Sequence, residues 1–307
     1  MSPAQYKAAR AAVGCTHAKI AQALGVSIRA PSGFWPRVSI KSLRQYAAVF
    51  IILVGLGIPV RAADVSCMVD RNVQPSTNDF FADIAPPCYI GLIRGVIASG
   101  DYEKVLGFYR SNHPHLFGFH LISSGGDVDE AIKIGRLLRK YLIFADAPRR
   151  GPDGRFALNT LDGSGSTLCR GSKCICASAC ALIWFGAVKR LGTVGLHRPR
   201  INDPAFKALA PSEASAVYRR MLDSVTRYLD EMEVPNPLID SMVTTGSAEI
   251  EWVDSERAFM RPPSFAEWVD ASCRRFTRQE SDQDKLDKKA FCEMDLIDTQ
   301  RRRLRPP

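Results

Sequence analysis

The chain has 307 residues, of which 46% are hydrophobic and 24% are charged, and this balance is typical of a globular protein and excludes an intrinsically disordered chain. Its formal net charge is +9, but residues 1–62 contain eight basic and no acidic side chains, so the remainder carries 33 basic against 32 acidic side chains. Because the body is nearly neutral, binding to nucleic acid is disfavoured.

The basic segment at the N-terminus predicts an export leader. Basic residues precede an apolar run over residues 46–60, and the small residues Ala62 and Ala63 follow it. This order is typical of a secretory signal peptide cleaved after one of these alanines. The run is shorter than the ~20 residues of a membrane-spanning helix. We therefore expect residues 1–62 to be a cleaved leader and the protein to be periplasmic or secreted; a single N-terminal membrane anchor, with proximity to the membrane, is the alternative.

The cysteines outside the leader predict disulfide bonds, because eight remain and an exported chain meets an oxidising compartment. Proximity along the sequence favours four pairs: Cys67 with Cys88, Cys169 with Cys174, Cys176 with Cys180, and Cys273 with Cys292. Pairing of Cys176 or Cys180 with Cys169 or Cys174 is an equal alternative, because a bridge inside a regular helix strains its geometry. Zinc is disfavoured, since the cluster lacks the longer loop that separates two short pairs. We expect no metal.

The region after the leader predicts an irregular segment and then helices. Residues 63–89 contain prolines and two cysteines and predict an irregular entry segment. Apolar positions at helical spacing over residues 89–110 predict two helices, split at residues 99–101. Asp101 is the predicted cap of the second helix.

A βαβ unit is predicted next. Residues 116–124 are a short apolar run that predicts a strand, and Gly125 and Gly126 follow as a turn. Helical spacing over residues 128–141 precedes a second predicted strand at 142–145. Strand, turn, helix and strand imply a parallel sheet with a right-handed crossover.

The rest of the chain alternates turn-rich and regular segments. Residues 147–174 are rich in turn residues and predict a long stapled loop. Residues 176–187 predict a buried helix of small residues, residues 193–199 a strand, and residues 204–233 a long helix or helical pair. Residues 263–307 predict a charged, helical C-terminal tail.

Three fragments carry residues that are suited to acyl-transfer chemistry. The Gly125-Gly126 turn lies between a strand and a helix, where backbone N–H groups can stabilise an oxyanion. Ser178 lies among small residues at the start of the predicted buried helix, where the helix dipole favours negative charge; its ordinary role there would be an N-cap. His197 ends an apolar strand, 19 residues after this serine, and would serve as its general base; a structural histidine is the alternative.

These fragments, Ser123-Ser124-Gly125-Gly126-Asp127, Ala177-Ser178-Ala179-Cys180-Ala181 and Gly195-Leu196-His197-Arg198-Pro199, resemble in their order the signatures of Clp-type serine peptidases. They are most similar to the exported ClpP-like proteins of the Clp protease/crotonase superfamily. The resemblance implies a ClpP/crotonase-like domain over residues 90–262, with a repeated ββα spiral core, a mostly parallel sheet and flanking helices. It also implies Ser178 as nucleophile, His197 as base, and an oxyanion hole formed by Gly125 or Gly126 and the N–H of Ala179.

The third member of the implied triad is less clearly marked. The acid of the family would fall near residues 248–258, where no aspartate aligns when the aromatic residue is used as a guide. Glu249 is the first choice to orient His197, and Asp254 and Asp240 follow. A Ser-His dyad and an inactive site are the alternatives.

The resulting functional prediction is a periplasmic or secreted serine hydrolase, a ClpP-like peptidase with a peptide or protein substrate and no cofactor. Family relatives form rings and other oligomers, so the resemblance also implies a homo-oligomer. The main alternative is a non-catalytic ClpP-fold scaffold or interaction protein of the cell envelope. A crotonase-type acyl-CoA enzyme is a third possibility, which export disfavours because CoA is cytoplasmic.

Overall fold

A central sheet, two smaller sheets and surrounding helices make up the protein in its computed structural model, which describes residues 62–68, 88–160, 166–201, 203–273 and 282–306. The strands are β1 (Asp64–Cys67), β2 (Ile90–Arg94), β3 (Gly118–Ile122), β4 (Phe144–Asp146), β5 (Arg149–Arg150), β6 (Phe156–Asn159), β7 (Thr167–Arg170), β8 (Arg190–Leu191), β9 (Thr193–Leu196) and β10 (Glu251–Asp254). The helices are α1 (Asp101–Asn112), α2 (Val128–Lys140), α3 (Ala179–Gly186), α4 (Pro204–Lys207), α5 (Pro211–Glu231), α6 (Asn236–Thr244), α7 (Pro263–Ser272) and α8 (Asp282–Arg303). The predicted leader lies outside these residues apart from Ala62, as does most of the entry segment. None of the helices described is long and apolar enough to cross a membrane.

The central sheet has the strand order β1-β2-β3-β4-β8. Strands β2, β3, β4 and β8 run parallel, and β1 pairs antiparallel with β2 at one edge. Every residue of β3 is buried, as expected for a strand covered on both faces. The prediction of an α/β protein with a mostly parallel sheet is therefore confirmed, whereas the repeated ββα spiral stays a prediction.

The helix predicted before Ser99 is wrong, because residues 90–94 form β2. A fully buried parallel strand has a continuous apolar run, and periodicity alone does not distinguish such a run from a buried helix. The predicted cap is also wrong: Asp101 is the first residue of α1, and Gly100 takes the cap position. The Asp101 carboxylate instead accepts hydrogen bonds from the N–H groups of Ala98 at 2.8 Å and Ala63 at 3.0 Å, which ties β1 to α1.

The predicted βαβ unit is present as β3, α2 and β4. Asp127 caps α2, since its carboxylate accepts the N–H of Glu130 at 3.0 Å. Helices α2 and α3 pack closely, because Gly186 lies so near Gly135 that a Cβ on Gly186 would collide with the Gly135 backbone. This contact fixes α3, and with it the candidate nucleophile, against the crossover helix.

The turn-rich segment is not a loop but a three-stranded antiparallel sheet, β5-β6-β7. Its side chains Phe156 and Leu158 form an apolar cluster with Leu92 and Ile122 of the central sheet. Short strands separated by turn residues lack a clear period, which explains why the sequence predicted a loop. The small sheet covers one face of the central sheet and so gives the parallel strands their second layer.

The structure contains the four disulfides that sequence proximity favoured, which are Cys67–Cys88, Cys169–Cys174, Cys176–Cys180 and Cys273–Cys292. The objection to Cys176–Cys180 does not apply, because α3 begins at Ala179 and Cys176 lies in the extended segment before it. The last disulfide joins the end of α7 to α8, which fits the predicted helical tail. Four bridges in one chain indicate an oxidising environment.

A buried arginine joins the ends of several elements behind the candidate site. Arg190 donates hydrogen bonds to the carbonyls of Phe185 at the end of α3, Met232 at the end of α5 and Ala258 after β10, at 2.6–2.9 Å. Burial, aided by the charge of Arg139, lowers the pKa of Arg190 to about 9. The Phe185 and Met232 carbonyls lie at helix ends, where acceptors lack intrahelical partners, and a charged donor satisfies them well.

Candidate active site

Ser178 lies at the junction of an extended segment and α3. The segment 175–177 runs between the end of β3 and β9: Ala177 N–H donates to the Ser123 carbonyl at 3.0 Å, and Gly195 N–H donates to the Cys176 carbonyl at 2.9 Å. Ser178 N–H then donates to the Gly195 carbonyl at 2.9 Å. Hydrogen bonds on both sides therefore hold the backbone of the candidate nucleophile.

The backbone of Ser178 adopts a conformation that favours glycine, with φ 58° and ψ −125°. For a residue with a Cβ this geometry costs on the order of 1–3 kcal/mol, and such strain clusters at functional sites. A strained strand-to-helix turn is also the arrangement that exposes a catalytic serine in many hydrolases. The N-cap alternative is not supported, because the Ser178 side chain makes no capping hydrogen bond with α3.

The glycine turn packs directly against Ser178. Gly125 has φ 105°, and a Cβ there would lie 2.6 Å from the Ser178 Cβ and 3.0 Å from its Oγ. A Cβ on Gly126 would collide with the carbonyl oxygen of Ile97. Only glycine fits either position, so the turn approaches the serine as closely as its backbone allows.

The amides near Ser178 divide into engaged and available donors. Gly125 N–H donates to the Ser123 Oγ at 3.1 Å, so it is not a free oxyanion donor in this structure. Within the described residues, the N–H groups of Gly126 and Ala179 have no hydrogen-bond acceptor. Of the three predicted oxyanion-hole residues, Gly126 and Ala179 therefore offer N–H groups, and Gly125 contributes the close approach.

His197 follows β9 directly and is half-buried. Its Nδ1 lies 3.0 Å from the carbonyl oxygen of Arg198. A carbonyl only accepts, so this contact as a hydrogen bond requires the proton on Nδ1 and leaves the Nε2 lone pair available to a donor. His197 follows the strand whose Gly195 carbonyl accepts the Ser178 N–H. In the described part of the chain, however, no hydrogen bond joins the His197 ring to Ser178.

The structure does not bring a carboxylate to His197: none of the described acidic side chains lies within 4.0 Å of the ring. Glu249 is exposed in a turn, where its N–H donates to the Gly246 carbonyl at 2.9 Å. Asp254 pairs with Thr193 at the far end of the ribbon formed by β9 and β10, and Asp240 is exposed on α6.

An isoleucine, Ile250, lies beside the end of β9 that precedes His197. Glu251 pairs with Leu196 at the end of the antiparallel register, and one further residue on each strand would pair Ile250 with His197. Residues opposite each other in such a pair point to the same face. The Ile250 side chain is 42% exposed and lies 2.6 Å from where a Gly195 Cβ would be. The neighbouring carboxylate of Glu251 is engaged elsewhere, since hydrogen bonds from Ser241 and Arg257 lower its pKa.

One histidine that the sequence did not single out, His120, does have a carboxylate partner. His120 on β3 and Asp146 on β4 are register partners, buried, with Nδ1 and Oδ2 3.3 Å apart. Arg149 contacts the other Asp146 oxygen at 3.3 Å. The pair could have been found from one signal, a histidine and an aspartate at matching positions of adjacent parallel strands. Within the described residues, no group of three His, Cys, Asp or Glu side chains could hold a metal ion.

No family model matches the chain, and neither does any curated protein. Among solved structures, the fold is similar to that of a ClpP1 mutant from Listeria monocytogenes, with a TM-score of 0.37 and 16% identity. The alignment covers 55% of this chain and 85% of the Listeria chain.

Proposed function

We propose that the protein is a serine hydrolase, a peptidase of an oxidising compartment such as the periplasm, with Ser178 as nucleophile and His197 as general base. The observation that carries this proposal is the strained turn at Ser178, whose side chain caps nothing and faces the glycine turn. A structural serine has no need of this geometry. The four disulfides support the compartment.

In the proposed reaction, Ser178 Oγ attacks a peptide carbonyl while His197 Nε2 takes its proton. The N–H groups of Gly126 and Ala179 bind the oxyanion, and the positive end of α3 adds to their effect. Collapse of the intermediate breaks the C–N bond, and the imidazolium returns its proton to the leaving amine. Water then hydrolyses the acyl-enzyme by the same route, with His197 again as base.

The Arg198 carbonyl takes part of the role of the missing acid. In a triad the carboxylate holds the imidazole in the correct tautomer and stabilises the imidazolium. A carbonyl that accepts the Nδ1 proton supplies the first effect but carries no charge to supply the second. We therefore expect a working but slow dyad.

The test is covalent labelling by an alkyl fluorophosphonate. The full chain is expressed with export to an oxidising compartment, and the recovered protein is treated with the reagent and analysed by peptide mass spectrometry. We expect one adduct on Ser178, none in Ser178→Ala, and a rate lower by about 100-fold or more in His197→Gln. Ser272→Ala, at an exposed serine ending α7, is the matched control. Labelling that persists in Ser178→Ala would refute the assignment.

The second candidate function is a non-catalytic scaffold. It is favoured by one observation, that among the described residues His197 forms no hydrogen bond with Ser178 and no ion pair with a carboxylate. A scaffold predicts no adduct in the folded wild-type protein. It also predicts that His197→Gln is silent in every assay of binding.

A further inference from the structure

A groove of about 440 Å³ begins directly after His197. One wall is the chain from Arg198 to Ile201, and the other is formed by α4 and α5. The residues that line the groove include Arg198, Arg200, Ile201, Phe206, Tyr218 and Ser247. Tyr218 fixes the two walls to each other, because its hydroxyl donates to the Pro199 carbonyl at 2.9 Å.

Two arginines of the groove have no acidic partner among the described residues. Arg198 and Arg200 are exposed, and no carboxylate of a described residue lies within 4.0 Å of either guanidinium. The nearest acidic residues in sequence are engaged with backbone: Asp203 accepts the Ala205 N–H at 2.8 Å, and Glu213 accepts the Ala210 N–H at 3.3 Å.

Some exposed arginines elsewhere in the described part of the chain form ion pairs. Arg136 forms an ion pair with Glu231 at 2.6 Å, and Arg302 forms one with Asp298 at 2.8 Å. Arg198 and Arg200, which have no carboxylate partner among the described residues, line the same groove as Ile201 and Phe206, so the groove surface is positive and partly apolar. Guanidinium forks bind carboxylates with bidentate geometry.

We propose that this groove binds acidic side chains of an extended peptide substrate, so that the enzyme prefers Asp or Glu a few residues from the bond it cleaves. The proposal rests on the proposed function, because Arg198, which lines the groove, directly follows the candidate base His197 in the chain. Charge complementarity identifies the ligand class, and the apolar floor provides for a hydrophobic neighbour in the peptide. Arg198 and Arg200 are then specificity-determining residues.

The test measures binding without catalysis. Ser178→Ala in the full exported chain is titrated with three fluorescent, C-terminally amidated peptides that differ only in carrying Glu, Gln or Lys at two positions. We expect the Glu peptide to bind about tenfold more tightly than the Gln peptide, the Lys peptide to bind most weakly, and the preference to shrink in high salt. Equal affinities, or binding of none of the three, would overturn the proposal.

Substitutions then locate the effect. Arg198→Gln and Arg200→Gln should each weaken Glu-peptide binding about three- to tenfold and leave the Gln peptide unchanged, and Arg198→Lys should retain part of the effect. Arg155→Gln, at an arginine 78% exposed in the β5–β6 turn, is the matched control. Since both groove arginines are exposed, thermal unfolding midpoints should be unchanged.

The outcomes separate this proposal from the proposed function. If fluorophosphonate fails to label the wild-type protein but the Glu preference is present and lost in the arginine variants, the groove stands and catalysis falls. If labelling succeeds without a Glu preference, the groove proposal alone is wrong. If the double arginine variant changes only the oligomeric state, the groove is an interface between copies and the proposal is overturned.

Discussion

The fold holds the two candidate catalytic residues, Ser178 and His197, with different numbers of restraints. On the nucleophile side, hydrogen bonds from β3 and β9, the glycine turn and the Cys176–Cys180 disulfide all converge on Ser178. On the base side, one contact to the neighbouring carbonyl holds the His197 ring. The candidate nucleophile is therefore preorganised by the fold, whereas the candidate base lies at a strand end. Preorganisation is what makes hydrogen-bond donors and nucleophiles effective, so activity should be most sensitive on the first side.

The largest effect is expected at the glycine turn. Gly125→Ala would place a methyl group 2.6 Å from the Ser178 Cβ, so either the turn or the serine must move. We expect fluorophosphonate labelling to fall by about 100-fold or more, because movement of the turn also displaces the proposed donor Gly126 N–H, and loss of an oxyanion donor has an effect of this size. The measurement is the second-order labelling rate of the folded protein.

Gly171→Ala is the matched control for this substitution. Gly171 also has a positive φ, 96°, but a Cβ there meets nothing within 4 Å. It should therefore cost about 1 kcal/mol of stability from backbone strain and leave labelling intact. A Gly125→Ala protein that folds and labels normally would show that the close approach has no role in catalysis.

The next effect is expected at the disulfide that brackets Ser178. Replacement of Cys176 and Cys180 by alanine should cost about 2 kcal/mol through loss of the cross-link. It should also reduce the labelling rate about tenfold or more, because the strained turn then lacks its covalent restraint. Thermal unfolding and labelling kinetics measure the two quantities.

The Cys169–Cys174 disulfide provides a matched comparison. It closes a loop of similar length after β7 and does not bracket Ser178. Its double alanine variant should lose a similar amount of stability while labelling at the wild-type rate. If both variants lose activity in proportion to stability, the Cys176–Cys180 bridge has no positioning role.

Features of the site that depend on neighbouring residues in the chain could be predicted from the sequence, whereas features that depend on distant residues could not. The glycine turn, the crossover helix and the helix after Ser178 depend on local periodicity and turn residues, and the structure contains all three. Strand β2 was not predicted, since its buried run mimics a helix. The engagement of Gly125 N–H by Ser123 Oγ depends on side-chain geometry, which no periodicity reveals.

The acid was the hardest feature to predict, because it depends on the register of two strands more than 50 residues apart. Glu249 is the predicted acid, but extension of the β9–β10 register by one residue would place Ile250, and not Glu249, opposite His197. A shift of one residue turns a side chain to the other face of a strand. The sequence supplies no signal that would fix this register.

A carboxylate introduced beside His197 should make it a better general base. Ile250→Asp introduces a carboxylate on the same face as His197, where it can orient and stabilise the imidazolium. We expect the labelling rate to rise about tenfold, since the existing carbonyl contact already fixes the tautomer. Glu249→Gln is the matched control and should change the rate less than about twofold. A slower Glu249→Gln protein would instead support the original choice of acid.

The smallest change in stability is expected from relief of the strain at Ser178 itself. At φ 58° and ψ −125° the serine costs on the order of 1–3 kcal/mol, and glycine removes this cost but loses about 0.5–1 kcal/mol of its own in chain entropy. Ser178→Gly should therefore stabilise the protein by about 1 kcal/mol, which raises the unfolding midpoint by roughly 2–4 °C, while it abolishes labelling. Ser178→Ala keeps the strain and should show no gain in stability. A stabilised glycine variant beside an unchanged alanine variant would identify Ser178 as a residue whose strained geometry is retained for function rather than for stability. A destabilised glycine variant would mean that the serine side chain holds the turn together, and that the rigid side of the site is structural.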